Sequence, residues 1–85
     1  PKDLPPPQFS PNPKAIHCLA KEHEGKTYLF VVNGEKRPWH GRAQLPAAVT
    51  CSSATDLFSG ETIVARGDSL PLRLPALGVR VLRLE

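Results

Sequence analysis

The chain has 85 residues, 40% of them apolar and 22% charged, with 11 basic against 8 acidic side chains for a net charge of +3. That length allows one domain and one modest core, burying roughly 60 to 65% of the unfolded surface. The charge is too dispersed for nucleic-acid binding, no apolar run approaches the ~20 residues of a membrane helix, and no charged-then-apolar leader opens the chain.

Six of the ten prolines fall in the first thirteen residues: Pro1, Pro5, Pro6, Pro7, Pro11 and Pro13. Proline fixes φ and removes a backbone donor, so residues 1–13 read as an extended polyproline II connector that joins neither a helix nor a central strand. A ligand for a proline-recognising domain is the other reading. With Pro1 leading and no initiator Met, the chain reads as a fragment of a longer polypeptide, and residues 14–85 as its folded domain.

Ala15 to His23 alternates Ile16, Cys18 and Ala20 against His17 and Lys21, with Leu19 breaking the polar face. Glu24-Gly25-Lys26 is a hairpin connection. Thr27 to Val32 is apolar at every position after Thr27, which predicts a central strand covered on both sides. Phe30 is then a core residue whose replacement by alanine costs about 3 to 5 kcal/mol. Asn33-Gly34 is a turn signal because both residues tolerate positive φ.

Lys36-Arg37-Pro38 reads as loop, Trp39 to Leu45 as a strand containing Gly41, and Ala47 to Cys51 as a short strand. Ser52 to Phe58 leads into a Ser59-Gly60 turn. Glu61 to Ala65, Ser69 to Leu74 and Val79 to Leu84 complete the set, with a bulge or two-sided burial expected where the alternation slips at Val81 and Leu82. No segment shows helical periodicity. The chain is therefore all-β, a small antiparallel sandwich of about seven strands, with a closed barrel as the alternative.

Little in this text resembles a reaction centre. The acids sit mostly in turns, the linker or the terminus, and turn chemistry accounts for Asp56, Glu61 and Asp68. His17, His23 and His40 have no metal-ligand spacing to each other or to Cys18 and Cys51. The two cysteines read as free, buried small hydrophobes, although a disulfide stays open if their Cα atoms come within about 7 Å. Arg66-Gly67-Asp68 matches a receptor-binding tripeptide but is explained by its turn. No catalytic residue, cofactor or metal is assigned. The best contact surface is Trp39 with Arg37 and His40, and Tyr28 as a lesser candidate; an aromatic ring flanked by polar groups suits a sugar, while a core or domain-interface tryptophan is the plainer account.

Three segments, Tyr28-Leu29-Phe30-Val31-Val32-Asn33, Ala54-Thr55-Asp56-Leu57-Phe58-Ser59-Gly60-Glu61 and Leu70-Pro71-Leu72-Arg73-Leu74-Pro75-Ala76-Leu77-Gly78-Val79-Arg80-Val81-Leu82, resemble the small C-terminal β-sandwich of glycoside hydrolases. Such domains follow a (β/α)₈ barrel in β-galactosidases and α-amylase-like enzymes. The resemblance spans Ile16 to Leu84, leaving Lys36 to Pro46 unmatched. It implies a non-catalytic accessory domain that packs on the upstream catalytic domain of the same chain, some relatives also holding polysaccharide. It implies a secreted, periplasmic or cell-surface location. A carbohydrate-binding module using Trp39 and an immunoglobulin-like adhesion or spacer domain are the alternatives.

Overall fold

The computed structural model describes residues 2–85. The chain is all-β: among the described residues nine strands form two antiparallel sheets around one core. In chain order they are β1 (Lys2–Leu4), β2 (Gln8–Ser10), β3 (Ile16–His23), β4 (Lys26–Asn33), β5 (Trp39–Gln44), β6 (Ser53–Asp56), β7 (Thr62–Val64), β8 (Ser69–Leu74) and β9 (Val79–Leu84). A short 3-10 turn, Pro13–Ala15, precedes β3. The larger sheet runs β1-β3-β4-β9-β6-β7 and the smaller β2-β5-β8.

The proline-rich lead-in differs from the expected connector. Its residues add an edge strand to each sheet: β1 pairs with β3 (Leu4 opposite Ala20) and β2 with β5 (Phe9 opposite Ala43). Phe9 is buried in the core. Pro5-Pro6-Pro7 carries the chain from one sheet to the other; extended proline at about 3.1 Å per residue matches the roughly 10 Å between stacked sheets. The prolines forbid a central position, and edges are where these strands lie. Pro71 likewise sits in β8, the other edge of the smaller sheet.

Leu29, Val31, Leu82 and Leu84 from the larger sheet meet Leu70, Leu72, Leu74 and Ala43 from the smaller one. Alternation in β8 and β9 sets this directly, since every second side chain points inward. The Thr27–Val32 run needs correction: only Leu29 and Val31 face the core, while Tyr28, Phe30 and Val32 face outward. Phe30 is 40% exposed and is not a core residue. Pairing fixes the phase, because Leu29 lies opposite Ala20 and Leu82, and Phe30 opposite Leu19 and Val81. The same pairing explains Leu19, the residue that broke the polar face of β3. β9 pairs with β4 in unbroken register from Val79 to Leu84, so the expected bulge is absent; Val81 points out and Leu82 in.

The expected strand at 47–51 is instead a turn, in which the Val49 N–H donates to the Pro46 carbonyl, and the strand begins at Ser53. Glu24 and Gly25 both take positive φ, 51° and 80°, making the two-residue hairpin loop. Asn33 and Gly34 do not take positive φ. Asn33 instead ends β4 fully buried, its Nδ2 donating to the carbonyls of Arg37 (2.8 Å) and Pro75 (3.0 Å), and its Oδ1 accepting from Glu35 N–H (3.0 Å). It staples the 33–38 loop to the β8–β9 turn. Cys18 and Cys51 are free thiols packed against the core, and burial pushes the Cys18 thiol up to about 11.

Candidate functional site

β9 inserts a charge into the sandwich. Arg80 shares its face with Leu82 and Leu84, so the register that buries those leucines turns the guanidinium inward. It is tolerated because all three nitrogens are used. Nε donates to Asp56 Oδ2 (2.8 Å), one terminal nitrogen to Glu61 Oε1 (2.5 Å) and the other to the Arg73 carbonyl (3.0 Å). Asp56 is also buried, and its Oδ1 accepts from the Phe58 and Ser59 N–H groups at 2.8 and 2.9 Å. This is the turn role expected of Asp56, joined to an ion pair that the local sequence does not reveal. Burial would raise the Asp56 carboxyl, but the Ser59 N–H, the Arg80 side chain and the Phe58 N–H outweigh it and hold the group below the usual carboxylate range.

Above this cluster opens a cleft of about 850 Å³. Arg37, Trp39, His40, Phe58, Arg73 and Arg80 are among its walls. Three of the four contact residues expected from sequence, Arg37, Trp39 and His40, therefore come together. Tyr28 does not: it lies on the outward face of the larger sheet beside Leu19, Lys21 and Phe30. Phe58 and Arg73 were not among the expected residues; Phe58 is 75% exposed on the β6–β7 turn. Only pairing across β5 and β8, which sets His40 opposite Arg73, brings these chain segments to one place.

Trp39 is half-buried. Its Nε1 donates to the Pro11 carbonyl at 2.7 Å, and its ring meets Phe9 edge-on at a centroid separation of 6.0 Å. One indole therefore fastens the lead-in and forms a wall of the cleft. Gly41 completes the fastening: a Cβ there would overlap the Ser10 carbonyl oxygen and lie 2.8 Å from Trp39 Cζ2. Gly41→Ala should thus cost about 1 to 3 kcal/mol. The check is urea unfolding with Trp39 emission: a red-shifted native spectrum is expected, and an unchanged midpoint would show that β2 yields freely.

Among the described residues, no three of His, Cys, Asp and Glu form a set that could hold a metal ion, and no helix is long and apolar enough to cross a membrane. No family model matches this chain. No curated protein matches it either.

Proposed function

We propose that the protein is a non-catalytic accessory domain that packs against a neighbouring catalytic domain of a carbohydrate-active enzyme. The observation that carries the packing role is the outward face of the larger sheet. Two adjacent cross-strand rows, Leu19-Phe30-Val81 and His17-Val32-Val79, place five apolar side chains side by side across β3, β4 and β9. Leu19 is 62% and Val79 53% exposed. The outward face of the smaller sheet is different, with Gln8, Ser10, His40, Arg42, Gln44 and Arg73 among its residues. A sandwich with one polar outward face and an exposed apolar patch on the other is built to have that patch covered. Inter-domain contacts of 600–1,500 Å² are the usual scale for such cover. The assignment of the partner to a glycoside hydrolase rests on the sequence resemblance.

A non-catalytic role is supported by the state of the two carboxylates in the cleft. A general acid needs a raised pKa at the operating pH, whereas Asp56 is pulled down and both Asp56 and Glu61 are tied to Arg80. The test uses the domain joined to its neighbouring catalytic domain, with Leu19 and Phe30, which lie outside the cleft, both replaced by aspartate. One cooperative thermal transition should split into two, with the catalytic domain melting lower. An unchanged melt of the catalytic domain would remove the packing reading.

A further inference from the structure

We infer that the cleft between the ends of the two sheets binds an acidic sugar, an oligosaccharide containing uronic acid. This does not rest on the packing reading, which uses the outward face of the larger sheet; the two surfaces share Val79. The acids of the cleft are already engaged, Asp56 with two backbone N–H groups and Arg80, and Glu61 with Arg80. Arg37 and Arg73 have no carboxylate partner among the described residues, and both are exposed. Three guanidiniums thus face two carboxylates in one cleft, so the surplus is positive.

The walls favour a ring-bearing ligand. Trp39 and the exposed Phe58 offer apolar surface, and arginine recognises a carboxylate through two parallel hydrogen bonds. Glu61, with its side chain 59% exposed, retains acceptor capacity for a sugar hydroxyl. A neutral sugar would leave both free arginines unused. A nucleic acid would call for a basic track along the surface, and here the free cations of the cleft are two arginines.

Trp39 is the only tryptophan, so its emission reports the site directly. Titration with trigalacturonate should change that emission saturably, and added salt should weaken the response. Arg37→Gln and Arg73→Gln should each weaken binding about tenfold, the scale of one lost charge-assisted hydrogen bond. Arg42→Gln lies on the same outward sheet face but outside the cleft and should leave binding unchanged. Emission unmoved by trigalacturonate, an equal response to maltotriose, equal weakening by Arg42→Gln, or tighter binding of an oligothymidylate would each overturn the inference.

Discussion

Replacing Arg80 by methionine should cost about 3 to 5 kcal/mol, because it keeps the aliphatic stem but leaves the buried Asp56 carboxylate without its cation. For a domain of this size that is a large part of the total, and the melting temperature should fall by roughly 15 °C or more. Adding Asp56→Asn should recover part of the loss. The amide oxygen can still accept from Phe58 and Ser59, and no charge remains to be buried. Recovery in the double variant separates the ion pair from simple packing. A single-variant loss under about 1 kcal/mol would mean that water reaches the pair.

The same cluster contributes to the acid limb of stability. Asp56 has a lower pKa folded than unfolded, so its contribution is complete above its unfolded value near 4 and is lost as the pH falls through the lower folded value. Asp56→Asn should flatten the fall in unfolding free energy below about pH 4, measured by urea titration across that range. A limb of undiminished slope would assign the acid sensitivity to other groups.

Leu82→Ala should cost about 3 to 5 kcal/mol, and Phe30→Ala about 1 kcal/mol or less. The two lie in paired strands but face opposite ways: Leu82 is fully buried, and Phe30 stands in the outward row with Leu19 and Val81. A one-residue slip of β4 against β9 would exchange the two faces. Urea unfolding of the pair therefore reads the register itself, and a reversed order of losses would show the strand the other way round.

Strand positions were largely legible in the sequence because alternation and turn residues are local. The phase of β4 was not, since a run from Tyr28 to Val32 is apolar on both faces and only Ala20 and Leu82 opposite Leu29 decide between them. Asn33 marked the right place with the wrong chemistry, its side chain capping distant carbonyls in place of a positive φ. The edge pairing of the lead-in is not legible in its composition, because proline content argues against central strands and says nothing against edges. In the cleft, Arg37, Trp39 and His40 are near neighbours in sequence and could be read together. Arg73 joins them through β5–β8 pairing, and Phe58 through turns that pack only once both sheets exist.

The two short strands of the lead-in also bear on how the protein avoids its own kind. Without them β3 and β5 would each present a free row of backbone donors and acceptors, and any second chain could pair there. With them, each border is only three residues long and is followed closely by prolines, which have no N–H to offer a newcomer. The segment that closes the sandwich is thus also its guard against self-association.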